Sequence, residues 1–119
     1  MDIDGAIQAH TNWKLRLFGA CKGSSKEKIE AQTVEKDNVC ELGKWLHGDA
    51  QRLGDDAVLK TLLEAHAAFH RTAAALARLI ERGQNAAAEK ALTAPDSEFN
   101  KLSIQVVGKL AQLRQNPRV

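Results

Sequence analysis

Apolar residues recur every three or four positions along most of this chain. The longest run is Leu59, Leu62, His66, Phe69, Ala73, Leu76 and Ile80, one continuous helical face. It predicts a helix from about Asp56 to Arg82, broken by Gly83. Phe99, Leu102, Val106, Leu110 and Leu113 form a second stripe, starting from a cap at Asp96 or Ser97 and reaching about Gln115. Near the start, Ile3, Ile7, His10, Lys14 and Leu17, with Ala6 and Trp13 beside them, predict a helix from about Ile3 to Phe18 capped by Asp2 or Asp4. A shorter helix is expected from Lys36 to His47, with Asp37 or Asn38 near its start and Gly48 past its end. Val39, Cys40, Gly43 and Leu46 would form its inner face, with little apolar surface. Asn85 to Leu92 reads as a short Ala-rich helix stopped by Pro95, and Gly19 to Lys28, with Gly23-Ser24-Ser25, as a loop. Ile29 to Val34 fits no single pattern.

Four principal stripes predict an all-α protein, a four-helix bundle with an additional short helix. The chain is expected to be one domain over residues 1–119, with its motifs between about 3 and 82 and a helical tail at about 84–115.

Composition supports the helical reading and narrows the function. Of the 119 residues 44% are hydrophobic, but many are Ala and only 4% are aromatic, a helix-forming set. Seventeen Lys and Arg against fifteen Asp and Glu give a net charge of +2. That balance makes no electrostatic case for nucleic acid or an anionic membrane. No apolar run approaches the roughly 20 residues of a membrane span, and Met1-Asp2-Ile3-Asp4 is not a signal-peptide start. Two cysteines without a secretion signal suggest reduced thiols and a cytoplasmic location.

The candidate chemistry lies in Leu59-Lys60-Thr61-Leu62-Leu63-Glu64-Ala65-His66-Ala67-Ala68-Phe69-His70. His66 and His70 are four apart and share a helix face, the spacing at which two imidazoles hold one metal ion. A pair is half a site. The remaining donors must come from His10, Cys21, Cys40 and His47. Cys40 and His47 are seven apart, roughly 10 Å along a continuous helix, and cannot both bind one ion. His10 and Cys21 are separated by roughly 16 Å on the same assumption. Each early segment therefore supplies one ligand at most.

Three motifs then stand in order: His10-Thr11-Asn12-Trp13-Lys14, Cys40-Glu41-Leu42-Gly43-Lys44-Trp45-Leu46-His47-Gly48, and His66-Ala67-Ala68-Phe69-His70. Together they resemble the chemoreceptor zinc-binding (CZB) domain family over Ile3 to about Ala73. The resemblance implies a Zn2+ ion held by His10, Cys40, His66 and His70. It implies a homodimeric regulatory domain of bacterial signalling proteins, attached to a soluble chemoreceptor or, in some chains, a diguanylate cyclase. It also implies that zinc occupancy or thiolate oxidation alters the attached signalling domain.

Other residues keep plainer readings. His47, near a helix end, suits contact with free carbonyls. Cys21 falls outside the motifs, and Trp13 and Trp45 suit bundle packing. Asp37 is a possible outer partner of a ligand or a simple helix cap. Gly43, costly in mid-helix, suggests a close approach near the metal.

The chain is not expected to be an enzyme. Four protein ligands leave zinc no open position, and the His-x-x-x-His segment lacks the Glu of a metalloprotease. A di-iron bundle needs Glu-x-x-His pairs, and Glu precedes neither histidine by three. A purely structural zinc site in a dimerisation domain is the rival to a sensor. For the sensor, the expected input is oxidation of Cys40 by a strong oxidant such as hypochlorous acid, or loss of zinc, either one loosening about Lys36 to Gly48 while the long helices persist.

Overall fold

Three long helices set the frame. The computed structural model describes residues 2–24, 27–54 and 56–115. Helix α1 spans Ile3–Lys22. It buries Ile3, Ala6, His10, Trp13, Leu17 and Cys21, spaced by three and four. It runs one turn beyond the predicted end at Phe18, because Cys21 adds a buried position to the stripe. Gly23, at φ 70°, ends it. The amides of Gly23 and Ser24 close back on the carbonyls of Ala20 and Gly19, a C-terminal motif that requires the left-handed conformation glycine adopts without strain. The loop reading of Ser25 lies outside the described residues.

Helices α2 (Ala31–Val34) and α3 (Glu41–His47) follow. α2 occupies the segment that fitted no pattern, since four residues are too few to display a helical period. Its first amide, on Ala31, donates to the Glu81 carboxylate at 2.9 Å, and Glu35 just past its end pairs with Arg78 at 2.7 Å. Both partners lie on the next long helix.

α3 begins later than the sequence suggested. Residues 36–40 form turns, and the N-cap is Cys40, not Asp37 or Asn38. The cause is Gly43. A Cβ there would lie 1.9 Å from the Asp37 carbonyl oxygen, so the preceding chain folds back onto the bare face of the helix. Val39, expected inside, is 44% exposed, whereas Leu42 and Leu46 are buried. A 3-10 segment, Asp49–Leu53, extends the unit and buries Ala50 and Leu53. It was not expected.

Helix α4 spans Ala57–Glu81, capped by Asp56, whose carboxylate accepts from the Leu59 amide at 3.0 Å. α5 (Asn85–Thr93) and α6 (Glu98–Arg114) complete the fold, the latter capped by Ser97. α4 packs chiefly against α6, with Phe69 and Phe99 ring centroids 5.0 Å apart. α6 returns antiparallel to α1, so that Arg114 pairs with Asp4.

The expected all-α bundle forms. Its fourth member is the broken α2–α3 chain, held mainly by α4 and α1. Among the described residues no helix is long and apolar enough to cross a membrane.

Candidate metal centre

Two elements converge on one point. α4 supplies His66 and His70, both sealed from solvent, and the cap of α3 supplies Cys40, which is partly buried. Cys40 Sγ lies 3.4 Å from His66 Nε2 and 3.5 Å from His70 Nε2. The two Nε2 atoms are 3.1 Å apart. A tetrahedral zinc with Zn–N of about 2.0–2.1 Å and Zn–S of about 2.3 Å needs donor edges of about 3.3 Å and 3.6 Å. The triangle matches that face within a few tenths of an ångström.

Neighbouring groups hold the donors in place. His70 Nδ1 lies 2.6 Å from the Val34 carbonyl. A carbonyl only accepts, so Nδ1 carries the proton and Nε2 presents a lone pair. The Gly43 amide donates to Cys40 Sγ at 3.2 Å. Trp13 meets His70 edge-on at 5.9 Å, and Arg16 lies 3.8 Å over the Trp13 ring. No side-chain pattern announces the Val34 carbonyl or the Gly43 amide. Both are backbone groups, and only the fold reveals them.

His10 is buried beside the same cluster. Its ring centroid is 6.3 Å from that of His66 and 4.1 Å from that of Phe69. It stands outside the group formed by Cys40, His66 and His70, whose donor atoms lie within 4.8 Å of one another. Its Nε2 is buried without a hydrogen-bond partner, as is Nδ1 of His66. Orphaned polar atoms of this kind cost about 1–3 kcal/mol each, and a cation beside His10 Nε2 relieves one of them.

The electrostatics suit a metal. Burial, then the neighbouring His70, pushes His10 down to about 4. Burial, then His70 and His10, pushes His66 down to about 3. Burial also lowers His70, against the bond to Val34. All three imidazoles are therefore neutral donors at neutral pH. Burial pushes the Cys40 thiol up, against the backbone amides of Gly43 and Leu42 that favour a thiolate.

The remaining candidates lie elsewhere. His47 is directed at Asp37 and not at helix-end carbonyls, with Nε2 3.3 Å from Oδ2. Cys21 is buried at the end of α1, where its thiol donates to the Asn85 carbonyl at 2.9 Å and the Asn85 amide returns a bond to the Cys21 carbonyl. Gly43 does permit a close approach, but of its own preceding loop.

The fold and the cluster define a helical domain with a buried Cys/His2 group that can hold a metal ion. The description of the chemoreceptor zinc-binding domain matches residues 10–77, more than half of the chain, and the chain belongs to that family. Comparison with curated proteins and with solved structures gave no match. Family and cluster together support a zinc-binding signalling domain.

Proposed function

We propose that this chain is the sensory domain of a cytoplasmic bacterial signalling protein, holding one zinc through His10, Cys40, His66 and His70. The observation that carries the reading is the donor triangle, which has the edges of a zinc tetrahedron. His10, with its orphaned Nε2, is the fourth donor. Bound zinc supplies the positive charge that keeps Cys40 a thiolate at neutral pH. Cys40 is the one donor of the triangle that is not fully buried. Its sulfur can therefore meet hypochlorous acid, giving a sulfenic acid and chloride, and the sulfenic acid is a poorer zinc ligand. The role is regulatory and not catalytic, and the attached signalling domain of a soluble chemoreceptor reads the change.

Metal analysis tests the site. One zinc per chain is expected, lost in Cys40→Ala, His66→Ala and His70→Ala, weakened in His10→Ala and kept in His47→Ala. Full zinc in His66→Ala or His70→Ala would sink the assignment.

We also propose a symmetric homodimer. Leu15 on α1 and Ile104 on α6 are each 70% exposed. These outward apolar side chains on the first and last helices suit burial against a second copy. Light scattering should report a dimer at tens of micromolar protein, and a monomer at that concentration counts against it.

A further inference from the structure

A second pair of metal-capable side chains stands beside the buried cluster. Asp37 comes from the turns before Cys40, and His47 from the last turn of α3. The fold-back at Gly43, where a Cβ would strike the Asp37 carbonyl, brings the two ends of this short unit together. Nε2 of His47 then lies 3.3 Å from Oδ2 of Asp37, with the side chains 45% and 30% exposed. That distance is longer than the about 2.7–2.9 Å of a strong charge-assisted hydrogen bond. It is close to the N–O edge, about 3.3 Å, of a tetrahedron with metal bonds of about 2.0–2.2 Å.

The position matters as much as the spacing. His66 and His70 are sealed, and Cys40 is the donor of the triangle with some access to solvent. An ion arriving from solvent therefore comes in on the Cys40 side. Asp37 lies three residues before Cys40, in the turns that lead into its cap, with its side chain partly exposed. Its carboxylate is a minor influence on Cys40, His66 and His70, smaller than burial and than the backbone hydrogen bonds or neighbouring histidines at each.

We propose that Asp37 and His47 form an outer metal site. The carboxylate–imidazole pair captures hydrated zinc from solvent and passes it to Cys40 and the buried histidines. Two protein donors leave half of a tetrahedral shell to water, so the outer site is weak and exchanges quickly. The proposal rests on the reading of the buried cluster as a zinc site.

A waypoint has a kinetic signature. It lies on the path between free and buried ion, so removing it slows loading and release by the same factor and leaves the equilibrium unchanged. A residue that merely supports the bound state does the reverse: release quickens, loading is unaffected and affinity falls.

The experiment is stopped-flow exchange of zinc between the metal-free protein and a fluorescent chelator, on the wild type, His47→Gln and Asp37→Asn. For His47→Gln, loading and release should both slow about tenfold, the low end of what local charge and capture contribute to an on-rate, with affinity unchanged. For Asp37→Asn, which also removes a charge near the cluster, loading should slow by more than affinity weakens. Wild-type loading in His47→Gln, or faster release with normal loading, overturns the outer site. Wild-type protein that takes up no zinc defeats the reading of the buried cluster instead, so the two failures are distinct.

Discussion

The backbone carbonyl of Val34 accepts a hydrogen bond from Nδ1 of His70 at 2.6 Å. His66, one turn earlier, has no such partner, and its Nδ1 is buried and unpaired. The two histidines of one motif are therefore held differently. His70 is oriented by the backbone of α2, and His66 by the rings around it. α2 is in turn held by Glu81, which accepts from its first amide, and by the Glu35–Arg78 pair.

Glu81→Ala should therefore weaken zinc binding although Glu81 touches no ligand. Loss of a helix-capping group costs about 1 kcal/mol, and loss of a ligand's orienting partner costs about 10–100-fold in affinity. Acting one step further out, Glu81→Ala should cost up to about tenfold. Competition titration against a chelator measures this. Wild-type affinity would show that Val34 is positioned without the Glu81 contact.

Gly43→Ala sets two effects in opposition. Ala is favoured over Gly in a helix by up to about 1 kcal/mol. Against this, the new Cβ would lie 1.9 Å from a backbone oxygen that has no rotamer to escape into. Overpacking of this kind costs about 1–3 kcal/mol, so the clash wins. The turn carrying Asp37 and Cys40 must move, and Sγ leaves the triangle. Urea unfolding should show destabilisation, and zinc affinity should fall with it. A stabilised Gly43→Ala would contradict the fold-back.

Acid should weaken the zinc-free protein before it reaches the carboxylate range. His10 and His66 fall from an ordinary 6.5 to about 4 and about 3 when folded. Between those values the unfolded chain binds more protons than the native one, so stability is full above about pH 6.5 and is lost as the pH drops. The slope approaches about 1.4 kcal/mol per pH unit for each histidine. The loss levels off for His10 near pH 4 and for His66 near pH 3. Thermal melts across that range measure it. Zinc binding near pH 7 should release one proton, from Cys40, because the imidazoles are already neutral. Release of about 1.7 protons, followed by calorimetry in buffers of different ionisation enthalpy, would show that the histidines titrate near their ordinary value, where each is about a quarter protonated at pH 7.

The sequence exposed the parts of the fold that repeat. The stripe of α4, with His66 and His70 on it, and the Ser97 cap of α6 were legible because helical periodicity and capping are local rules. Cys40 was singled out through its motif, not through geometry, and the structure brings it to His66 and His70; His10 was singled out in the same way and is buried beside His66, outside that group. The onset of α3 was not, because helix propensity over residues 36–40 is overridden by one tertiary fact, the absence of a Cβ at Gly43. α2 was illegible because its hydrogen bonds come from Glu81 and His70, dozens of residues away. The facing of Asp37 and His47 was hidden for the same reason, since ten residues on a continuous helix would not have brought them together.

Whether zinc at this site senses or merely braces turns on how far a disturbance at Cys40 spreads. The sequence suggested that all of Lys36 to Gly48 would loosen, because the segment looked poor in apolar surface. In the fold Leu42 and Leu46 are buried, and Ala50 and Leu53 anchor the stretch that follows. Each large side chain of this kind contributes about 1.5–3 kcal/mol, enough to keep α3 docked when Sγ is released. The loosening should therefore be confined to the turns at 36–40 and the first turn of α3. The Gly43 amide reports it directly, since its acceptor is Sγ itself. Hydrogen exchange should show Gly43 and residues 36–40 losing protection on zinc removal and on hypochlorous acid treatment, while the buried stretches of α4 and α6 stay protected. Cys40→Ser, treated in parallel, separates this from oxidation at Cys21. Equal protection in every state, or loss spread evenly over the bundle, would make the zinc structural. A change limited to the Cys40 turns is the local order change that an attached signalling domain can read.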